Sequence, residues 1–185
     1  KKIQVAYSTQ SLRGTQIMHI SSAEGYKIES LETDLTGLYQ QKNVITVLGV
    51  IELLATTGMD IQERDIRKGL AHTRELTGLR GRWEIIGNNP LIICDTGHNR
   101  EGIREVMKQL RQTPWKKMHI VLGLVDDKDP STILEQLPSE ARYYFTQSSV
   151  PRSMDREKLA AEGIRFGLYG QVCPTPQKAL KIALS

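Results

Sequence analysis

The feature that most constrains this chain is the stretch Arg82-Trp83-Glu84-Ile85-Ile86-Gly87-Asn88-Asn89-Pro90-Leu91-Ile92-Ile93-Cys94-Asp95-Thr96-Gly97-His98-Asn99. It reads as an extended segment, a turn, a short apolar strand, and a polar knot that opens a helix. The run Leu91 to Cys94 is too short for a helix and is fenced by Pro90 and Asp95, as a buried parallel strand is. Asn99 is a good N-cap for a segment with Ile103, Val106, Met107 and Leu110 at helical spacing. Strand, turn and helix together predict that Asp95, His98 and Asn99 lie at the carboxyl end of a strand, where open α/β sheets bind ligands.

The pattern around this stretch sets the fold class. Before it, Ile3–Tyr7, Gln16–Ile20 and Tyr26–Leu31 read as antiparallel strands joined by turns at Arg13-Gly14 and Glu24-Gly25. A helix follows from Val44, with Val47, Leu48, Ile51 and Leu54 on one face, Asn43 as its cap and Gly58 as its stop. Ile61–Leu70 is a second, shorter helix. Glycines at 69, 78, 81 and 87 with Asn88-Asn89-Pro90 form the one concentration of breakers long enough for a hinge, which puts a domain boundary near residue 80. Beyond it, strand Leu91–Asp95, helix Asn99–Arg111, strand His119–Leu124, helix Pro130–Leu137, strand Arg142–Thr146, helix Asp155–Glu162 and helix Thr175–Leu184 alternate. That alternation predicts an α/β fold whose sheet is mostly parallel, with helices on both faces.

Composition narrows the function classes. No apolar run reaches the roughly 18 residues of a membrane helix, and the longest candidate, Ile45 to Ala55, carries Glu52. Two cysteines, Cys94 and Cys173, make no disulfide framework, so a reducing compartment is expected. The start at Lys1-Lys2-Ile3-Gln4 lacks both a signal-peptide core and an initiator Met and opens inside a strand, as a piece of a longer protein does. Of the net charge of +4, all sits between Arg64 and Arg82, where Arg64, Arg67, Lys68, Arg74, Arg80 and Arg82 face only Asp65 and Glu75. A basic window beside a ligand rim fits a small anionic ligand. With aromatic residues at 5% and no stacking residues among the cations, nucleic acid fits less well.

Several residues carry chemistry, each with a plainer alternative. Asp95 is a carboxylate that accepts from ribose hydroxyls, or a turn and capping aspartate. Arg82, after Gly81, is a phosphate-binding guanidinium on a flexible joint, or an arginine lying over Trp83. His98 stands at the mouth of a helix as a catalytic or a structural histidine, with no second ligand at metal spacing. Gly123-Leu124-Val125-Asp126-Asp127-Lys128-Asp129 closes the second parallel strand with a dense charged loop. Pro151-Arg152 follows the third in the same way.

Taken in order, Tyr39-Gln40 with Asn43, Gly81-Arg82, Asp95-Thr96-Gly97-His98-Asn99, Asp127-Lys128-Asp129 and Pro151-Arg152 resemble the folylpolyglutamate synthase/dihydrofolate synthase family. These are ATP-dependent amide ligases related to the Mur peptidoglycan ligases. The match spans roughly residues 35 to 152. It departs from the family at Gly97, where alanine is common, and at Arg100, where proline is. No G-x-x-x-x-G-K-[ST] phosphate loop occurs. The chain therefore resembles the tail of the central ATPase domain (1–80) followed by a Rossmann-like C-terminal domain (81–185).

The resemblance implies a cytoplasmic enzyme that joins L-glutamate to a folate or dihydropteroate carboxylate through an acyl phosphate. Asn43 is expected at the adenine of ATP, Arg82 at its phosphates and Asp95 at its ribose. His98 is expected as a catalytic residue beside the incoming glutamate. Asp127, Lys128, Asp129 and Arg152 are glutamate-binding candidates. Magnesium ligands and a carboxylated lysine belong to the ATPase region upstream, and no metal ligand is expected here. Tyr39-Gln40 favours the folate branch, because Mur ligases more often carry Phe-Asn there. A non-catalytic nucleotide-binding α/β module is the alternative from another class.

Overall fold

The computed structural model describes residues 3–10, 14–22, 27–126 and 129–185. The chain divides into two compact units, Lys1–Thr96 and Gly97–Ser185. The sequence reading places a domain boundary near residue 80, and the compact units divide after Thr96.

The first unit opens with an antiparallel sheet in the order β1-β2-β3, formed by β1 (Ile3–Gln10), β2 (Gln16–Ser22) and β3 (Lys27–Thr33). Met18 pairs with Leu31 but Ile20 pairs with Ile28, so β3 carries an extra residue between those pairs. Ser30 takes φ +52 at that bulge. The bulge lets Ile28 and Leu31, spaced by three, both face the core with Met18 and Ile20. Arg67 closes it by donating to the carbonyls of Glu29 (3.0 Å) and Ser30 (3.2 Å).

Helix α1 (Gln40–Thr56) covers this face with Val44 and Leu48. It begins four residues before the expected Val44. Asn43 therefore sits inside its first turn and does not cap it. Val47, expected on the buried face, is 41% exposed, because Val44 and Leu48 are four apart and fix the inward stripe. Helix α2 (Glu63–Ala71) adds Ile66 and Leu70 at the edge of the same core. The unexpected short helix α3 (Thr73–Thr77) follows, with Asp34 Oδ2 accepting from Arg74 N at 2.8 Å. Strands β4 (Glu84–Asn88) and β5 (Leu91–Cys94) complete the unit as an antiparallel hairpin.

That hairpin corrects the reading of Leu91–Cys94 as a buried parallel strand. Asn88, Asn89 and Pro90 reverse the chain, so Glu84 pairs with Cys94 and Asn88 with Leu91. Leu91 is 46% exposed. A four-residue apolar run does not encode its partner, and here the turn before it chose the adjacent strand.

The second unit is the α/β layer that the alternation predicts. It contains α4 (Arg100–Leu110), β6 (His119–Leu122), α5 (Ser131–Leu134), β7 (Arg142–Phe145), α6 (Arg156–Arg165), β8 (Gly170–Val172) and α7 (Pro176–Ala183). The sheet runs β6-β7-β8, parallel throughout; the sequence reading passed over β8. Alternation along β7 sends Tyr143 and Phe145 to one face, against Ile103 and Met107 of α4, Ile133 and Leu134 of α5, and Leu159 of α6. Tyr144 points to the other face, with Cys173 and with Ala179 of α7. Helices thus lie on both faces of the sheet. Among the described residues no helix is long and apolar enough to cross a membrane.

Candidate functional site

In the first unit, the base of the β4–β5 hairpin holds the densest set of side-chain hydrogen bonds near a predicted site residue. Asp95, just past β5, accepts at Oδ2 from the Tyr39 hydroxyl (2.8 Å) and from Trp83 N (2.7 Å). Tyr39 precedes α1 and Trp83 precedes β4, so one carboxylate oxygen ties three segments together. Burial and the Asp95 carboxylate push the Tyr39 phenol well above its ordinary pKa, while Arg82 and a hydrogen bond from the Gln40 side chain pull the other way.

Trp83 is buried with φ +49, a conformation a bulky side chain rarely adopts. It persists because both of its backbone polar groups are committed. Its N–H donates to Asp95, and its carbonyl accepts from Thr36 Oγ1 at 2.8 Å. The turn before it is held equally closely. Gly81 N donates to Glu84 Oε2 (2.8 Å), and Thr96 N donates to the Gly81 carbonyl (2.9 Å). Gly81 itself has φ +67, and a Cβ there would come within 2.5 Å of Thr96 Cγ2. Only glycine fits both conditions.

Arg82 leaves this turn with its Nη1 hydrogen-bonded to Thr96 Oγ1 and to the Gly81 carbonyl. Arg82 and Asp95 therefore stand at the same end of the hairpin. Asn43 Nδ2 donates to Gln40 Oε1 at 2.7 Å. Buried Glu84 pairs with Arg80 at 2.6 Å. Beside it, burial together with Glu84 and Asp95 raises the pKa of Cys94, and Arg80 opposes them.

The second unit carries the remaining candidates on its own rim. His98 is exposed, directly ahead of Asn99. Asn99 caps α4 as expected, accepting from Gly102 N at 2.7 Å. Past β6, Asp126 N donates to the Arg152 carbonyl (2.8 Å), and Met154 N donates to the Leu124 carbonyl (2.9 Å). The loops after β6 and β7 are thereby joined. Asp126 also pairs with Lys158 at 2.8 Å. Asp129 accepts from Ser131 N (2.9 Å) and Ser131 Oγ (2.5 Å), which hold its carboxyl below the usual range. Arg152 is exposed. Asp127 and Lys128 lie outside the described residues.

The sequence reading missed Thr36, Glu84, Thr96 and the role of Gln40. For Gln40 a signal existed, since Gln and Asn three apart on a helix hydrogen-bond readily. For Thr36 and Trp83 none did, because their bond joins residues 36 and 83 across the unit.

The profile of the family described as "Mur ligase, glutamate ligase domain" matches residues 81–185. The chain belongs to this family. The match begins at Gly81, whereas the hairpin it includes is tied to Thr36 and Tyr39 within the first compact unit. Among individual proteins, the chain is similar to a folylpolyglutamate synthase of Lacticaseibacillus casei, 30% identical over 160 residues. That alignment covers 86% of this chain and 36% of the relative. It is also similar to a UDP-N-acetylmuramoyl-L-alanyl-D-glutamate–2,6-diaminopimelate ligase of Caldanaerobacter subterraneus, 25% identical over 169 residues, covering 86% of this chain and 33% of that protein. The fold is that of the Mycobacterium tuberculosis folylpolyglutamate synthase solved with ADP. The TM-score is 0.81 at 24% identity, over 99% of this chain and 40% of that one. This Mur ligase family chain thus spans between about a third and two fifths of the length of these relatives.

Proposed function

We propose that this chain is the C-terminal portion of a folylpolyglutamate synthase/dihydrofolate synthase. The intact enzyme joins L-glutamate to a folate or dihydropteroate carboxylate at the expense of ATP. The observation that carries this reading is the hairpin base: a carboxylate, Asp95, oriented by two protein donors, and a guanidinium, Arg82, beside it. Asp95, held by Tyr39 and Trp83, is the carboxylate for a ribose hydroxyl, since a carboxylate accepts several hydrogen bonds at once. Arg82 supplies the paired donors suited to phosphate, and Asn43 an amide for adenine.

The reaction transfers the γ-phosphoryl of ATP to the carboxylate, releasing ADP. The glutamate amine then attacks the acyl phosphate, forms the amide and expels phosphate. No nucleophilic side chain is required. This region contributes positioning and charge neutralisation, which dominate such transfers. His98 is proposed as the catalytic residue beside the incoming glutamate, and Asp127, Lys128, Asp129 and Arg152 are proposed to bind that amino acid.

No group of three His, Cys, Asp or Glu able to hold a metal occurs among the described residues. The magnesium that accompanies ATP belongs, on this reading, to the ATPase region of the intact enzyme, and no step here is routed through it. A cytoplasmic location accompanies this reading.

The test is a substrate panel on the full-length protein with ATP: labelled glutamate with dihydropteroate or with tetrahydrofolate, and labelled 2,6-diaminopimelate with UDP-N-acetylmuramoyl-L-alanyl-D-glutamate. Incorporation with either pteridine is expected. Incorporation with the muramoyl acceptor alone moves the protein to the Mur branch, which the 25% match to the diaminopimelate ligase favours. Nucleotide binding without ligation of any acceptor leaves a binding module and overturns the proposal.

A further inference from the structure

Two arginines flank Gly81, and the turn treats them differently. Arg80 Nη2 pairs with Glu84 Oε1 at 2.6 Å; the Arg80 side chain is 72% exposed and that of Glu84 only 7%. The other carboxylate oxygen, Oε2, accepts from Gly81 N at 2.8 Å. Arg82 instead hydrogen-bonds two neutral oxygens, Thr96 Oγ1 and, at 3.3 Å, the Gly81 carbonyl. Neither bond neutralises its charge. The backbone that carries it is fixed on both sides, by Gly81 at φ +67 and Trp83 at φ +49. A carboxylate as deep as that of Glu84 is unfavourable unless it is paired, and Arg80 is the pair.

We propose that Arg80 is a positioning residue: by neutralising buried Glu84 it keeps that carboxylate from competing with phosphate for Arg82. This rests on the reading of Arg82 as a phosphate ligand and adds what keeps it available. The turn uses Glu84 because Oε2 tethers Gly81 N, next to the left-handed backbone of that residue. That tether brings a negative charge into the same short turn as the guanidinium meant for an anion. Unpaired, the carboxylate attracts Arg82 and repels a triphosphate, and burial leaves both effects poorly screened. Arg80 offsets the charge from the solvent side. An arginine acting through Glu84 thus sets the affinity for the phosphates.

The test measures the affinities of the full-length protein for ATP and for adenosine, which lacks phosphates, by titration calorimetry, with circular dichroism to check folding. Arg80→Ala is expected to bind ATP about tenfold more weakly, the scale of one hydrogen bond to a charged group, with adenosine unchanged. Arg80→Lys keeps the charge and is expected to stay close to wild type. Adding Glu84→Gln to Arg80→Ala removes the carboxylate charge, keeps an oxygen for Gly81 N, and is expected to restore ATP affinity. A merely structural role loosens the hairpin base that also holds Asp95, so adenosine weakens with ATP, and that result overturns the inference. So does unchanged ATP affinity in Arg80→Ala, a loss in Arg80→Lys as large as in Arg80→Ala, or a double variant that is not restored. Should Arg80→Ala fail to fold, Glu84→Gln alone decides: it is expected to bind ATP at least as tightly as wild type, and weaker binding overturns the inference. A wild type that binds no ATP removes the nucleotide reading and this inference together. ATP binding without glutamate ligation removes only the ligase assignment, and the variants still decide the role of Arg80.

Discussion

The hairpin base of the first unit and the rim of the second hold comparable sets of charged and polar residues in opposite ways. At the hairpin base the bonds are long-range in sequence. Tyr39 reaches Asp95, Thr36 reaches the Trp83 carbonyl, and Gly81 is locked by Glu84 and Thr96. On the rim the recorded side-chain bonds of Asn99 and Asp129 are local, to Gly102 and Ser131, and the longer-range Asp126–Lys158 pair lies between two exposed side chains. The first arrangement is set before any ligand arrives, which is what electrostatic stabilisation of a reacting group requires. The second keeps its side chains exposed, on loops whose backbones are joined at Asp126–Arg152 and Met154–Leu124. The contrast predicts rigid nucleotide recognition in one unit and recognition by exposed side chains in the other.

Substitutions at the two places should separate accordingly. The largest effect is expected from Arg82→Ala in the full-length protein, where kcat/KM for ATP-dependent ligation should fall about a hundredfold, the scale of losing one donor to developing charge. A steady-state assay with turnover unchanged breaks the contrast at its strongest point. Next comes Gly81→Ala, which forces a side chain onto φ +67 and against Thr96 Cγ2. It should cost about 1–3 kcal/mol in urea unfolding, and a neutral result would remove the argument that this turn is over-determined.

Cys94 offers a subtler measure. Its raised pKa means slower alkylation at pH 8 than an unstructured cysteine shows. Because the folded pKa lies above the unfolded one, the associated stability is fully present below the unfolded value and is lost as pH rises through the folded value. An alkylation rate equal to that of a free thiol would show the pocket beside Glu84 to be open. The smallest effect belongs to Asp129→Asn, which should lower the unfolding midpoint at neutral pH only slightly, because the side chain is exposed. The Asp129 carboxyl is lowered by Ser131, so whatever it contributes is present above its ordinary 3.8 and disappears as pH falls through the folded value. A clear loss of stability at pH 7 would place the rim on the same footing as the hairpin.

Much of this was legible in the sequence because it is written in short spans. The period-2 and period-3.6 patterns gave the antiparallel strands of the first unit, its first two helices and the parallel α/β layer of the second. The spacing of Ile66 and Leu70, and the cap at Asn99, follow from local stereochemistry alone. Val47 and Asn43 mark the edge of that power. Val47 fell on the helix as expected but faces outward because Val44 and Leu48 set the buried stripe, and a helix that starts at Gln40 takes Asn43 off the cap. Strand β8 is three residues long, and its pattern is too brief to register.

The amino-acid sequence by itself determined that an acid, an arginine and a glycine-broken turn occur in this order, along with the ordered motifs that mark the family. Tertiary structure alone decided the partners of β5, the buried left-handed Trp83, and the hydrogen bond from Tyr39 to Asp95. The reason is physical. Periodicity records which way a side chain faces its own element. A hydrogen bond between residues 39 and 95, by contrast, exists only after two distant segments have been brought together, and nothing in either segment names the other.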